Sequence, residues 1–401
     1  ASDVYKRQGT STATSHNRVS YASDTADLTI DLLTAGAIGL GGNAQGDTYV
    51  NIQDLTGGAG NDTFIASAAA NNFDGGGGLH NRVSYASDTA NLIIDLLNPG
   101  ATGIGGNAQG DTYTNIQDIT GGSGDDLFIA SAAANNFDGG TSTATSHNRV
   151  SYASDTADLT IDLLTPGAIG LGGNAQGDTY VNIQDLTGGS GNDTFIASLA
   201  ANNFDGGGGA HNRVSYASDS ANLIINLSDK TASGVSAGTG SGGYAQGDTY
   251  TNIQDATGGS GNDTFVASSV ANNFDGGAGI NTVSYESSTS GVTVNLSTQM
   301  VAGVAGNSGS GSYATGDTYA NIQNVIGSTS SDTFIAGSAA NAFTGNGGSD
   351  TVSYAASGSA VTVNLSTGPV TPTAGGGSLA AGTGRGGDAL GDTYNLSLIH
   401  I

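Results

Sequence analysis

The chain has 401 residues, of which 68 are Gly, with four Pro, no Cys and no Trp. That much Gly excludes a helical protein, because each ordered Gly costs conformational entropy, while the regular Val, Ile, Leu, Phe and Tyr positions exclude a disordered linker. The formal net charge of −26, from 34 acidic residues against 8 Lys and Arg, argues against nucleic acid and anionic membranes as partners.

Apart from Glu286, every acidic residue is Asp. Short carboxylates in turns are where hard cations are held. The lack of Cys fits an extracellular protein of bacterial type that does without disulfides. No run of 18 apolar residues is present, so no transmembrane helix and no membrane insertion are expected. No signal peptide is visible in the first residues.

In chain order, residues 1–8 (ASDVYKRQ) do not match the repeat that begins after them and are expected to be a non-native or adaptor-derived tail. At Gly9 begins GTSTATSHNRVSYASDTADLTIDLLT, which recurs at Gly140, an offset of 131 residues that suggests duplication of a pair of units. Residues 30–47 (IDLLTAGAIGLGGNAQGD) form an insert. If it counts as two nines, a unit has seven half-coils and successive Asp turns alternate sides. If it is one longer excursion, they line up. The insert ends in GDTY, whose Asp47 recurs as Asp111, Asp178, Asp248, Asp317 and Asp392, at spacings of 64, 67, 70, 69 and 75 residues. Each of the first five GDTY copies is followed by NIQD or NIQN and then a Gly-rich turn. Residues 396–401 (LSLIHI) leave the pattern again and are expected to be a second non-native tail. Between the tails, 9–395 is expected to be a single elongated repetitive domain of about five to six units.

Inside each unit runs a period of nine. From Thr249 the chain reads TYTNIQDAT, GGSGNDTFV, ASSVANNFD, GGAGINTVS, YESSTSGVT. The eighth position is apolar at Ala256, Phe265, Phe274, Val283 and Val292, and the sixth is polar at Gln254, Asp263, Asn272, Asn281 and Ser290. From Thr48 the same register places Leu55, Phe64 and Phe73 at the eighth position. Nine residues suit a turn of about six and a strand of about three. The expected fold is all-β: a right-handed parallel β-roll or β-solenoid of stacked nonapeptide half-coils, in units of about 64–75 residues, two nines to a coil.

The segments GGAGNDTFI (57–65), GGSGDDLFI (121–129), GGSGNDTFI (188–196) and GGSGNDTFV (258–266) resemble the hemolysin-type, or RTX, nonapeptide G-G-x-G-x-D-x-U-x. The wider block resembles the repeats beside serralysin-type β-rolls. The resemblance implies Ca2+ held between stacked turns by sixth-position carboxylates and Gly-turn carbonyls. It also implies folding outside the cell after type I export. Turns two nines apart share a side, which pairs Asp332 with Asp350, the best carboxylate pair in the chain, and Asp263 with Asn281. The same spacing pairs Asp62 with Asn81, Asp126 with Asn148 and Asp193 with Asn212, where the second turn is lengthened. The turn carbonyls assigned with them are those of Gly57, Gly60, Gly121, Gly124, Gly188, Gly191, Gly258, Gly261, Gly276 and Gly279. Fewer and weaker ions are expected than in an unbroken array.

The opposite side of the same coils carries neutral amides: Gln53 and Asn71, Gln117 and Asn135, Gln184 and Asn202, Gln254 and Asn272, Gln323 and Asn341. It is expected to be largely calcium-free. The alternative for each sixth-position Asp is an Asx turn bonded to its own backbone. The GDTY Asp residues read as turn or strand-start caps. Asp74, Asp138, Asp205 and Asp275 of NNFDGG read equally as outer ligands or turn starters. His16, His80, His147 and His211 of HNRV lack zinc spacing and read as turn-surface groups, with Arg18, Arg82, Arg149 and Arg213 neutralising nearby Asp. Every candidate catalytic group recurs, whereas catalytic groups are normally unique, so no enzyme active site is expected. Expected roles are a spacer or adhesin repeat, the calcium-binding tail of a secreted enzyme whose catalytic domain lies elsewhere, or a glycan- or ice-binding face. A monomeric segment is expected.

Overall fold

The computed structural model describes residues 5–6, 16–141, 143, 145–371, 378–396 and 399–400. The two expected tails lie outside the described residues, except for Tyr5–Lys6, Leu396 and Ile399–His400. The chain divides into two compact units, Ala1–Ser198 and Leu199–Ile401. Among the described residues there is no α-helix, and nearly every strand is three residues long.

A three-residue strand exposes its first and third side chains and buries its second. In Thr63–Ile65 the inward residue is Phe64, in Asn72–Asp74 it is Phe73, and both are buried. Their rings stack 5.7 Å apart, as do those of Phe128 and Phe137. Each such buried ring contributes roughly 1.5–3 kcal/mol. The eighth-position residues Leu55, Phe64, Phe73, Ala256, Phe265, Phe274 and Val283 are all buried. Val292 is buried too, but the strand following it is Thr293–Asn295, with Val294 inward. The turn after VSY is longer than the nine-residue frame allows, so Val292 ends a turn and Ser290 is exposed.

In the first unit the strands form two faces. One runs Arg18–Ser20, Asp54–Thr56, Asn72–Asp74, Thr112–Thr114, all parallel. It continues through antiparallel bridges at Thr102 and Ile104 to Ile93–Asp95, Leu127–Ile129, Arg149–Ser151 and Asp185–Thr187. The other runs from Thr29–Asp31 through Thr63–Ile65, Arg82–Ser84, Asp118–Thr120 and Asn136–Asp138 to Thr179–Val181. Bridges at Ile169 and Leu171 then lead to Thr160–Asp162 and Thr194–Ile196.

The insert is therefore one excursion within a single face. The second unit shows this most clearly. Strand Ile224–Asn226 overshoots, Thr239–Ser241 returns antiparallel beside it, and Thr249–Thr251 fills the space against Asn203–Asp205. Ser308–Ser310 and Thr383–Arg385 are the same returning strand in later repeats. Because an excursion ends on the face where it began, an odd number of crossings separates equivalent strands. Equivalent strands consequently alternate faces: Thr63–Ile65, Leu127–Ile129 and Thr194–Ile196 in the first unit, and Thr264–Val266 and Thr333–Ile335 in the second. The insert is the longer excursion, yet the Asp turns do not line up.

Candidate calcium-binding turns

The sixth-position Asp residues of the five Gly-Asp turns, Asp62, Asp126, Asp193, Asp263 and Asp332, are buried. Each carboxylate bridges two turns. One oxygen accepts the N–H of the apolar residue ending the turn of the preceding coil: Leu28, Leu92, Leu159 and Leu223 at 2.9 Å, Val292 at 2.8 Å. The other accepts an N–H of its own turn, from Gly58, Gly122, Gly189, Gly259 or Ser328. The Asx-turn reading is thus half of the arrangement, and the inter-coil bond is the other half.

The expected stacking partners are adjacent. The backbone N–H of Asp62, Asp126 and Asp263 donates to Oδ1 of Asn81, Asn148 and Asn281, each at 2.9 Å. That of Asp332 donates to Asp350 Oδ1 at 3.1 Å. Asp193 and Asn212 belong to different compact units.

Burial pushes these carboxyls up, against the lowering effect of the N–H bonds. Asp126 and Asp193 rise to about 6, and the charges of Asp88 and Asp125, or Asp158 and Asp155, add to the rise. Asp62, Asp263 and Asp332 move the same way, Asp332 with a contribution from Asp350.

The candidate glycines lie where turn packs on turn. A Cβ on Gly60, Gly124, Gly191 or Gly261 would run into the backbone of Ala26, Ala90, Ala157 or Ala221. One on Gly276 would meet the Asn281 amide and the Asn321 carbonyl, and one on Gly279 the Gly261 carbonyl. The Gly57, Gly121 and Gly258 carbonyls face Gly76, Gly140 and Gly277 of the next turn, and Gly188 is buried in its own. Part of this oxygen surface is already used: the carbonyls of Gly58, Gly122 and Gly259 accept the N–H groups of Gly77, Thr141 and Ala278. Among the described residues no three His, Asp or Glu side chains form a metal-holding group. A cation at a turn pair would therefore draw most of its ligands from carbonyls. Among the described turn pairs, the Asp332–Asp350 stack places a buried Asp on both turns, with the Asp332 carboxylate accepting the N–H groups of Val292 and Ser328 and the Ser328 hydroxyl.

The amides do not occupy an edge of their own. Asn81, Asn148, Asn212 and Asn281 donate their backbone N–H groups to Oε1 of Gln117, Gln184, Gln254 and Gln323. Because repeats alternate faces, Asp62, Asn81, Gln117 and Asn135 follow one another down one edge. The expectation of a separate amide side fails for that reason.

The GDTY Asp residues are inter-coil latches rather than local caps. Asp111 is fully buried, accepts the Tyr85 hydroxyl at 2.7 Å and takes the Asn71 N–H of an adjacent coil at 2.7 Å. Tyr113 touches Tyr85 at 2.7 Å. Tyr85 has one hydroxyl proton and gives it to Asp111, so Tyr113 must donate to Tyr85. The same trio recurs at Tyr21, Asp47 and Tyr49, and at Tyr152, Asp178 and Tyr180. It appears again around Asp248, Asp317 and Asp392. The co-recurrence of VSY and DTY was the signal in the sequence.

Asp74, Asp138, Asp205 and Asp275 start their turns by accepting the N–H of Gly76, Gly140, Gly207 and Gly277. The HNRV groups meet the NIQD carboxylates. His80 Nδ1 lies 3.2 Å and Arg82 3.4 Å from Asp118, with equivalents at Asp54, Asp185 and Asp255.

No curated protein matches the chain. The family model described as "RTX calcium-binding nonapeptide repeat (4 copies)" matches residues 53–78, 115–142, 184–210, 256–284 and 323–356. These segments contain the five Gly-Asp turns, with the stacked partners Asn281 and Asp350 in the last two, and they identify a chain built on RTX calcium-binding nonapeptide repeats, with Ca2+ as the ion those repeats bind.

Proposed function

We propose that segment 9–395 is a calcium-stabilised structural region, a spacer or adhesin-like repeat array, of a larger protein exported to a calcium-rich exterior. Ions lie between stacked Gly-Asp turns. Asp332 with Asp350 forms the strongest site, and Asp263, Asp193, Asp126 and Asp62 contribute weaker ones. The reading rests on the Asp332–Asp350 stack, where adjacent turns each bury an Asp and the Asp332 backbone N–H donates to Asp350 Oδ1. Burying two carboxylates in adjacent turns brings like charges near each other, a cost that a cation between the turns would offset. The net charge of −26 and the entropy of 68 Gly also oppose compaction of the unliganded chain. Calcium bound only by the folded form therefore adds its binding energy to folding. The role is structural rather than catalytic, because the polar groups recur repeat after repeat in the same hydrogen-bonded positions.

Circular dichroism of the chelator-treated chain, titrated with Ca2+, tests this. The β-signal and melting temperature should rise with calcium, and Asp350→Asn should remove the largest part of the rise. Full β-structure in EDTA, unchanged by calcium, would overturn the reading.

A further inference from the structure

In the turn stacked after each Gly-Asp turn, the sixth-position residue is Asn in every repeat but the last, and its amide nitrogen has a fixed placement. Asn81 Nδ2 donates to the Gly77 carbonyl of its own turn at 2.5 Å and to the Asn115 carbonyl of the turn beyond at 3.0 Å. Asn148 does the same with Gly139 at 3.0 Å and Asn182 at 3.1 Å. Asn212 reaches Gly208 at 2.5 Å and Asn252 at 3.0 Å. Asn281 reaches Ala278 at 2.9 Å and Asn321 at 3.0 Å. All four side chains are fully buried.

The distant acceptors share one backbone state. Asn115, Asn182, Asn252 and Asn321 have φ between 51° and 55°. This left-handed conformation is one Asn adopts more readily than most residues. Each is held there by its own side chain, which donates to Asp74, Asp138, Asp205 or Asp275. The repeat thus carries a dedicated pair: one Asn that presents a carbonyl and another that meets it with an amide.

An NH2 group between carbonyls of successive turns supplies the positive pole that a cation would otherwise supply there. We propose that Asn81, Asn148, Asn212 and Asn281 stand in for bound cations. They close the junction between their own turn and the turn beyond without metal, so the junctions with Asp62, Asp126, Asp193 and Asp263 hold ions only weakly, and the strongest calcium demand falls where Asp350 takes the Asn place. The inference rests on the reading of Asp332–Asp350 as an ion site, and its test separates the two.

Asn281→Asp in the full chain replaces the NH2 by an oxygen facing the Ala278 and Asn321 carbonyls. The variant should bind one additional Ca2+ per chain by isothermal titration calorimetry. It should also melt lower than wild type in EDTA and recover in calcium. A folded Asn281→Asp that binds no additional ion overturns the inference. Should it fail to fold even in calcium, Asp350→Asn decides. That variant should lose one ion and protect residues 327–364 from protease in EDTA, and unchanged stoichiometry and protection overturn the inference. A wild-type chain that binds no calcium sinks the Asp332–Asp350 reading, whereas an ion gained by Asn281→Asp still upholds the role of the amide.

Discussion

At the scale of single residues, the costliest groups in this fold are its buried carboxylates, and the Tyr–Asp–Tyr latch shows how one is kept. Burial raises Asp111, Asp178 and Asp317 to about 7, even though the Tyr hydroxyl and a backbone N–H pull the other way. Burial also pushes the partner tyrosines up, so they remain donors. The excursion makes room for the trio. A Cβ on Gly103, Gly170 or Gly240 would strike the hydroxyl of Tyr113, Tyr180 or Tyr250. A carboxyl whose folded pKa lies near 7, against about 4 unfolded, holds its proton more tightly in the fold. Its contribution to stability is complete below about pH 4 and is lost as pH rises through 7. In calcium-free buffer, urea midpoints of wild type should therefore fall between pH 4 and 7, and Asp111→Asn should flatten that fall by about one proton. Tyr85→Phe should cost about 1.5–3 kcal/mol near pH 7, the worth of a hydrogen bond to a charged group. A pH profile identical in wild type and Asp111→Asn would show that the latch carboxyl does not titrate in the fold.

At the scale of elements, three-residue strands have little cooperative length, so side-chain ladders across the outer faces matter. On one face of the first unit Arg82, Asp118, Asn136 and Thr179 stand in register on four neighbouring strands. Thr179 donates to Asn136 Oδ1 at 2.5 Å, and Asn136 donates to Asp118 Oδ2 at 2.9 Å. Arg82 is partly exposed, whereas Asp118 is nearly buried. Arg82→Ala should therefore cost under about 1 kcal/mol and lose its effect in high salt. Asp118→Ala strands the Asn136 backbone N–H, leaves its amide only His80, and should cost about 1–3 kcal/mol at any salt. Equal losses measured by chemical denaturation would refute this division.

The inward strand residues were legible in the sequence because one apolar residue per nine survives wherever the turns keep their length. The stacking of Asp332 on Asp350 was legible for the same reason. The excursion was not, because GAIGLGGNAQGD carries no nine-residue register. Its anchor is Asp24, whose carboxylate is held below the usual range by the N–H groups of Asn43 and Ala26. Asn43 is 19 residues from Asp24, and no local pattern links them. The Asn residues were read as weakened ligands, because composition records a lost charge but not a gained donor.

At the scale of the molecule, excess negative charge and local closure act on different lengths. Exposed carboxylates repel over about a Debye length, so their cost yields to any salt. A buried pair such as Asp332 and Asp350 is hardly screened, and on the proposed reading an ion within its turn junction offsets the repulsion. Amide-closed junctions need neither. Two treatments of the chelated chain should then differ. Monovalent salt should raise the melting temperature broadly, while calcium in small excess should act at the repeat containing residues 327–364. Limited proteolysis read by mass spectrometry should find the first EDTA-sensitive cleavages in that repeat, with the amide-closed turns at residues 75–81 and 139–148 cut later. Calcium should abolish the early cleavages and sodium should not. If cleavage in EDTA began equally in all repeats, or if sodium protected as well as calcium, the ion would be screening net charge rather than closing a turn.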